Sequence, residues 1–185
     1  MQTIYTPKGR ALEYHELACN LYRGCGHSCT YCYAPLATRA DRQTFYNSPT
    51  PRAGVLEALE KEATRYEFLG DKRQILLCFT CDPYQPKAEI TREALTILKR
   101  HHLNVSILTK GGMRAVRDFD LLTPEDKFGC TLTFINEADS LKWEPKAALP
   151  ADRLQALKLA HDLGIPTWAS LEPVIDPGQT LMLID

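Results

Sequence analysis

Short runs of apolar residues alternate with segments of helical periodicity along most of the chain. Five of these runs have the length of buried strands, and they are Leu17–Tyr22, Ile75–Phe79, Val105–Thr109, Phe128–Phe134 and Thr167–Leu171. Between them, apolar residues recur at helical spacing in residues 55–66, 91–100, 114–119 and 150–163. Strands that alternate with helices form parallel βα units, whose right-handed crossovers place the helices outside. The pattern therefore predicts an α/β fold, either a parallel (β/α) partial barrel or an open parallel sheet.

The composition is that of one ordinary globular domain. The chain has 185 residues, of which 44% are hydrophobic, and its 22 basic and 23 acidic residues give a net charge of −1. This composition excludes a disordered chain, and the charge gives no general footprint for nucleic-acid binding. A complete eight-unit βα barrel takes about 250 residues, so this chain is too short for one. We expect residues 1–16 to be an N-terminal extension and residues 17–185 to form the core domain.

Length and targeting signals add two expectations. The first ten residues lack the apolar run of a secretory signal, and no stretch of the sequence approaches the ~20 apolar residues of a membrane helix. We therefore expect a cytoplasmic protein that has no membrane partner and keeps its thiols reduced. From Leu17 onward the chain has 169 residues. At ~30 residues per βα unit this holds five units and part of a sixth, so we expect the sixth unit to be missing and the domain to be incomplete at its C-terminus.

Three of the seven cysteines fall within eight residues, directly after the first predicted strand. Cys25, Cys29 and Cys32 are separated by three and then two residues. In a reducing compartment, clustered thiols are more often metal ligands than disulfides. Three thiolates on one short loop suit a cubane iron–sulfur cluster that keeps one iron open, whereas a closed structural zinc site needs four ligands.

Two zinc sites remain as alternatives. In one, Cys19 or His27 supplies a fourth ligand, and in the other, Cys78 and Cys81 form a second knuckle beside the loop cysteines. Cys78 and Cys81 stand in or at the end of the second predicted strand, where we expect their side chains to point to opposite faces. The residues alone therefore favour a cluster and leave zinc open.

Every predicted strand ends on polar or reactive residues, at the edge where parallel α/β folds place their chemistry. These strand ends are the cysteine loop, Thr80-Cys81-Asp82, Thr109-Lys110, Thr131 with Thr133, and Glu172. Together with the cysteine spacing and the aromatic Tyr31 before the last cysteine, they resemble the radical S-adenosylmethionine superfamily, in the branch that contains spore photoproduct lyase. The similarity extends from about Leu17 to Pro177 and implies a parallel (β/α) partial barrel of the radical SAM type, with about five βα units present.

The resemblance implies that Cys25, Cys29 and Cys32 bind a 4Fe–4S cluster whose fourth iron chelates S-adenosylmethionine. One electron from the reduced cluster would cleave this molecule to methionine and a 5′-deoxyadenosyl radical, which takes a hydrogen atom from the substrate. The substrate is not identified by the sequence, and nucleic acid is the class that the branch suggests. A flavodoxin- or ferredoxin-type partner would supply the electron. The alternatives are a zinc-stabilised binding module and an iron–sulfur electron carrier without this chemistry.

The resemblance and the strand-end positions together suggest roles for further residues. By the family pattern, Tyr31 would lie against the adenine and Lys110 would meet the methionine carboxylate. By position alone, Cys81 at the end of the second strand is a candidate hydrogen donor to a substrate radical, and Arg153 is expected to pair with Glu144. Asp82 and Gln85 would line the methionine end, while Thr131, Thr133 and Glu172 would contact the ribose, the adenine or the methionine. The structural alternatives are core packing for Tyr31 and Cys81, an exposed strand-end lysine for Lys110, strand packing for the threonines, and an Asp–Pro turn for Asp82 and Gln85.

Thr50 and Pro51 follow a turn-rich stretch just before the first long helical segment. A threonine followed by proline suits the cap and the first position of a helix. We therefore expect this pair to begin the helix over residues 55–66.

Overall fold

The computed structural model describes residues 2–184 and contains a six-stranded sheet covered by helices. The strands are β1 (Ile4–Tyr5), β2 (Leu17–Cys19), β3 (Tyr22–Arg23), β4 (Thr50–Pro51), β5 (Ile75–Leu77), β6 (Val105–Thr109), β7 (Lys127–Thr131) and β8 (Thr167–Ser170). The α-helices are α1 (Ala34–Ala37), α2 (Arg42–Asn47), α3 (Val55–Phe68), α4 (Thr91–Arg100), α5 (Glu137–Trp143), α6 (Pro150–Asp162) and α7 (Pro177–Ile184). Two 3₁₀ segments cover Gly9–Glu13 and Gly112–Leu121.

The sheet order is β1-β2-β5-β6-β7-β8, and its five strands β2, β5, β6, β7 and β8 are parallel to one another. Strands that are successive in the chain are thus neighbours in space, as successive right-handed βα units require. The predicted α/β fold with five parallel strands is confirmed. Strands β3 and β4 form a separate two-stranded ladder, in which Arg23 pairs with Thr50.

Four strands end earlier than predicted. The first ends at Cys19 instead of Tyr22, the second at Leu77 instead of Phe79, the fourth at Thr131 instead of Phe134, and the fifth at Ser170 instead of Leu171. For the first two, the side chain of Asn20 gives the reason. Its Oδ1 accepts the N–H groups of Phe79 and Thr80 at 2.8 and 3.0 Å, so these groups bond to a side chain instead of continuing a ladder.

The outer face of the sheet packs on the helices in one hydrophobic core. Alternate residues of the central strands are fully buried there, including Ile75, Leu77, Val105, Ile107 and Phe128. Phe128 meets Phe119 of the second 3₁₀ segment edge to face, with ring centroids 4.8 Å apart. This packing is what alternation of side chains along a covered strand produces, and it holds the carboxyl ends of the strands in a fixed row.

The predicted N-terminal extension takes part in this sheet. Strand β1 pairs antiparallel with β2, and Ile4 is 1% exposed. Farther along, Tyr14 crosses to the last strand, where its ring centroid lies 6.1 Å from that of Trp168. The segment therefore contacts both ends of the sheet. Over residues 2–184, no helix combines the length and the apolar character that crossing a membrane requires.

Candidate functional site

The three clustered cysteines lie on the loop between β3 and α1, beyond the carboxyl end of β2. Cys29 is buried, Cys25 and Cys32 are half-buried, and all three are free thiols. Three hydrogen bonds from backbone N–H groups hold the loop in place. The N–H of Cys25 donates to the Phe45 carbonyl at 3.0 Å, that of Thr30 to the Trp143 carbonyl at 2.9 Å, and that of Gly26 to Gln85 Oε1 at 2.6 Å. We call residues 24–32 the cysteine loop.

Gly24 sets the entry to the cysteine loop. Its φ is +82°, and a Cβ atom there would lie 2.5 Å from the carbonyl oxygen of Phe45. Any other residue would therefore strain the backbone and collide with α2. The close approach brings the loop against α2, where the Tyr46 hydroxyl donates to the Cys29 carbonyl at 2.9 Å.

The donor set of the loop fits an iron–sulfur cluster. Burial raises the pKa of the Cys29 thiol to about 12, and burial together with Asp82 raises the pKa of Cys25 well above 9. Such thiols stay protonated until a metal takes them as thiolates. Soft thiolates on one short loop are the ligands of iron–sulfur clusters. Within residues 2–184, no three His, Cys, Asp or Glu side chains converge closely enough to hold a single metal ion.

The structure gives Cys19 and His27, the candidate fourth zinc ligands, other surroundings. Cys19 lies in β2 and is fully buried in the hydrophobic core. Arg114 donates to His27 Nε2 at 2.9 Å, so the proton sits on Nδ1, which lies 3.4 Å from Asp82 Oδ2. Both ring nitrogens of His27 therefore have partners.

The expectation that Cys78 and Cys81 point to opposite faces is wrong. Strand β5 ends at Leu77, so strand alternation does not extend to these residues. Both side chains enter the same core, and burial together with the neighbouring Cys78 raises the pKa of Cys81 well above 9. Cys81, the candidate hydrogen donor, is 8% exposed.

Asp82 and Gln85 lie beneath the cysteine loop and hold it to the strand ends. Asp82 accepts hydrogen bonds from the N–H of Tyr84 at 2.8 Å, from the Thr109 hydroxyl at 2.6 Å and from the N–H of Lys110 at 2.7 Å. With His27 these bonds join the ends of β5 and β6 to the loop. Burial lowers the pKa of His27 to about 4 although Asp82 opposes the shift, so the imidazole is neutral.

A second buried network begins at Lys110 and centres on Glu144. Lys110 Nζ lies 3.9 Å from Glu144 Oε1 and 5.5 Å from the centroid of the Tyr31 ring. The Tyr31 hydroxyl donates to Glu144 and meets the Thr133 hydroxyl at 3.2 Å. Arg153, which is 1% exposed, donates to the other oxygen of Glu144, so the expected pair is present.

Electrostatics keep Glu144 ionised. Burial opposes its charge, but Lys110 and Arg153 hold the pKa of this carboxyl below its ordinary value. Burial and the adjacent Glu144 raise the pKa of Tyr31, so its hydroxyl remains a donor. Within this network two cations face one carboxylate, so these three groups carry a net charge of +1.

Thr131 and Glu172 complete the predicted set. Thr131 ends β7 and is buried, and its carbonyl accepts from Arg153 at 2.9 Å. Glu172 instead accepts from the Tyr14 hydroxyl, beside a cleft of about 560 Å³ that Tyr14, His15 and Trp168 also line. The structure therefore brings Tyr31, Lys110 and Thr133 together and places Glu172 in this cleft.

Sequence reasoning missed three residues that shape the site. The sequence predicts His27 only as a zinc ligand, although its place between two cysteines is a signal for a loop-positioning role. Arg114 and Tyr14 carry no such signal, because their partners His27 and Glu172 lie far away in sequence.

Known proteins resemble this chain over most of its length. The model of the Radical SAM superfamily matches residues 19–183. An uncharacterized protein of Methanocaldococcus jannaschii is 28% identical over 160 residues, which cover 84% of this chain and 59% of that protein. A cysteine-to-serine mutant of spore photoproduct lyase has a TM-score of 0.71 at 16% identity, covering 94% of this chain and 49% of that chain.

A double mutant of the same lyase, solved with bound AdoMet and dinucleoside spore photoproduct, has a TM-score of 0.70 at 16% identity, covering 92% of this chain and 48% of that one. The two lyase structures share the fold. The chain spans less than two thirds of the length of each of these three relatives. Because the family model covers residues 19–183, with the cysteine loop and both buried networks inside them, the chain belongs to the radical SAM superfamily.

Proposed function

We propose that Cys25, Cys29 and Cys32 hold a 4Fe–4S cluster and that S-adenosylmethionine binds beside it, across the carboxyl edge of the sheet. The observation that carries this proposal is the three-thiol loop standing next to the Lys110–Glu144 network in a member of this superfamily. When bound, the reduced cluster supplies the electron that splits S-adenosylmethionine into methionine and a 5′-deoxyadenosyl radical, which takes hydrogen from a substrate.

Lys110 would bind the carboxylate of the methionine moiety. Its side chain is 17% exposed, so the ammonium can be reached from the site, and the surplus positive charge of the network suits an anion. Arg153 is already hydrogen-bonded within the protein, since besides Glu144 it donates to the carbonyls of Thr131 and Ala148 at 2.9 and 2.8 Å. Lys110 is therefore the cation that is available to the cofactor.

Tyr31 would present its ring to the adenine, held in place through its hydroxyl by Glu144 and Thr133. Thr131 and Glu172 are proposed for the ribose side of the cofactor. Asp82 and Gln85 would act by positioning the loop, which is the role their contacts support. The hydrogen-donor role of Cys81 stays a prediction.

Nucleic acid is the substrate class that we propose to test first. The support is that one solved relative holds a dinucleoside spore photoproduct. A flavodoxin- or ferredoxin-type protein would deliver the electron, in a reducing compartment such as the cytoplasm.

Anaerobic reconstitution with iron and sulfide tests the cluster. We expect broad absorption near 400 nm and dithionite-dependent 5′-deoxyadenosine when S-adenosylmethionine is added. Cys29→Ala should abolish iron loading, whereas Cys19→Ala, a matched change in the core, should not. One tightly held zinc without any nucleoside would instead establish the binding module, and a redox-active cluster indifferent to S-adenosylmethionine would establish an electron carrier.

Lys110→Ala tests the cofactor site. Loss of a hydrogen bond to a charged group costs about 1.5–3 kcal/mol, so we expect the dissociation constant for S-adenosylmethionine to rise about tenfold or more while iron content is unchanged. Unchanged affinity would remove Lys110 from the site.

A further inference from the structure

The cleft between the N-terminal segment and β8 has the size of a small-molecule site. Its volume is about 560 Å³, within the ~300–1,000 Å³ that such sites span. We call it the Trp168 cleft. Its charged and aromatic lining consists of Glu13, Tyr14, His15, Lys127, Trp168 and Glu172.

The indole ring of Trp168 forms a flat surface in this cleft. Trp168 pairs with Gly129 of β7, where a Cβ atom would lie 2.5, 2.5 and 2.8 Å from Cε2, Nε1 and Cδ2 of the indole. The ring therefore lies across Gly129, and its other face is directed away from β7. The rings of Tyr14 and His15 approach it at centroid distances of 6.1 and 6.2 Å, tilted by 58° and 48°. Neither ring stacks parallel to the indole, which is half-buried.

The strand register places this surface on the inner face of the sheet. Phe128 packs on the outer helices, so the next residue of β7, Gly129, and its partner Trp168 lie on the opposite face. Thr131 and Ser170 pair on that same face two residues farther along, about 7 Å closer to the carboxyl edge. The Trp168 cleft thus lies on the inner face, toward the amino ends of β7 and β8 and away from the cysteine loop.

The polar groups of the cleft are only partly engaged within the protein. Glu172 accepts from the Tyr14 hydroxyl. Across residues 2–184, neither Glu13 nor Lys127 takes part in an ion pair. Burial lowers the pKa of His15 below its ordinary 6.5, so the imidazole is neutral, and its buried Nδ1 has no hydrogen-bond partner among the same residues. Buried polar atoms normally have partners, so this wall of the cleft is suited to a polar ligand.

We propose that the Trp168 cleft binds the guanine ring of a nucleotide. A planar base stacks on the uncovered face of an indole. Guanine carries two adjacent N–H donors, at N1 and at the 2-amino group, and a carboxylate such as that of Glu13 accepts such donors as a pair. Lys127 suits the phosphate, whereas a simple cation would be repelled by it. Adenine presents a ring acceptor beside its amino group, which a carboxylate repels.

This inference goes beyond the proposed function. It requires neither a cluster nor S-adenosylmethionine, because every contact that carries it lies in the Trp168 cleft. Glu172 is not assigned to the guanine ring, since it already accepts from Tyr14. Binding can therefore be measured apart from the radical chemistry.

Calorimetry with the full chain and three nucleotides tests the proposal, without added S-adenosylmethionine. The probes GMP, IMP and AMP carry the same phosphate, and IMP differs from GMP only by lacking the 2-amino group. Glu13→Gln changes an exposed side chain, so the fold should be retained, and Glu89→Gln is the matched control at another exposed position. Trp168→Leu removes the stacking surface.

We expect the parent to bind GMP at least about fivefold more tightly than IMP or AMP, because each lacks a donor that the carboxylate accepts. Glu13→Gln should weaken GMP binding and bring GMP and IMP within about twofold of each other, a change in preference that a purely structural role would not produce. Trp168→Leu should weaken binding of all three nucleotides at least about tenfold through lost stacking. Glu89→Gln should stay within about twofold of the parent.

The proposal is wrong if GMP does not bind the parent or if Glu13→Gln keeps the preference for GMP over IMP. Equal binding of AMP, or displacement of GMP by methylguanidinium, would also overturn it, in favour of a general base site or a cation site. If Trp168→Leu does not fold, the preference measured in Glu13→Gln decides. A single-stranded oligonucleotide with one guanine distinguishes the two sources of the ring: tighter binding than GMP assigns it to nucleic acid, and weaker binding assigns it to a free nucleotide. None of these outcomes depends on dithionite-driven 5′-deoxyadenosine formation, which tests the proposed function separately.

Discussion

Glu144 is the residue at which the charges of the site converge. It accepts from Tyr31 and Arg153 and lies 3.9 Å from the ammonium of Lys110. Glu144→Gln keeps the shape but leaves the buried Arg153 without a counter-charge. Breaking a buried pair from one side costs about 3–5 kcal/mol, so we expect a loss of that size in the free energy of unfolding, measured with urea.

The control for this change is Glu89→Gln, because Glu89 is exposed. Such a surface substitution should stay within about 0.5 kcal/mol of the parent. A loss below about 1 kcal/mol for Glu144→Gln would show that Arg153 is compensated by another group.

The roles of some single residues can be predicted from the sequence, whereas the roles of others cannot. Cys25, Cys29 and Cys32 are visible because their spacing within one loop is itself the signal. Asp82 could be placed at a strand end, but its three hydrogen bonds and its contact with His27 join segments that only the fold brings together. Local patterns therefore identify the candidate ligands, whereas the groups that position them depend on tertiary packing.

Between elements, Gly24 determines how closely the cysteine loop approaches α2. Gly24→Ala introduces both a strained φ and a collision with the Phe45 carbonyl, and we expect the variant to lose about 1–3 kcal/mol of stability and to incorporate less iron. The control is Gly70→Ala, where φ is +63° but a Cβ would meet open space. It should show the backbone strain, about 1 kcal/mol, with normal iron loading. Equal iron loading in both variants would contradict the role of the close approach.

The elements that the sequence predicts are the strands with continuous apolar runs. Strand β6, Val105–Thr109, has the predicted bounds because its apolar run is buried on both faces except at the half-buried Leu108. Thr50 and Pro51 do not begin a helix: they form β4 against Tyr22–Arg23, and α3 begins at Val55 after Gly54. A strand of two residues shows no hydrophobic periodicity, so its formation depends on the strand with which it pairs. The sequence does not predict the short helices α5 and α7 for a similar reason, since neither spans enough turns to show a clear hydrophobic pattern.

Helices α3 and α4 are joined by an ionisable clamp at His101. Its Nδ1 lies 2.7 Å from Glu67 and its Nε2 lies 2.8 Å from Glu60, and these hydrogen bonds raise the pKa of His101 above its ordinary 6.5. The charged imidazole therefore contributes its full stabilisation below pH 6.5 and loses it as the pH rises through the raised pKa.

We expect His101→Gln to destabilise the protein more at pH 6 than at pH 9, by less than about 1 kcal/mol because the carboxylates are solvated. Urea unfolding at the two pH values measures the difference. His161→Gln, at an exposed position on α6, serves as the control. A His101 effect that does not change with pH would mean that the clamp acts through packing alone.

In the whole molecule, the N-terminal segment connects the two ends of the parallel sheet. It pairs with β2 through β1, its Thr3 N–H donates to Glu62 of α3 at 3.0 Å, and Tyr14 reaches Trp168, Phe79 and Glu172. An extension that merely trails from the core would make none of these contacts. The sequence did not reveal them, because the strand is two residues long and the Tyr14 contacts cross to the far edge of the sheet.

Tyr14→Ala measures how much this connection contributes. It removes two aromatic contacts, each worth about 0.5–1.5 kcal/mol, and a hydrogen bond of about 1 kcal/mol, so we expect the free energy of unfolding to fall by about 2–4 kcal/mol. Leu12→Ala, an exposed position of the same segment, should change it by less than about 0.5 kcal/mol. Because Tyr14 also holds Glu172, the variant should loosen that side chain while leaving the distant cysteine loop able to take up iron. If Tyr14→Ala is as stable as Leu12→Ala, residues 2–16 are an appendage and the sheet holds together without them.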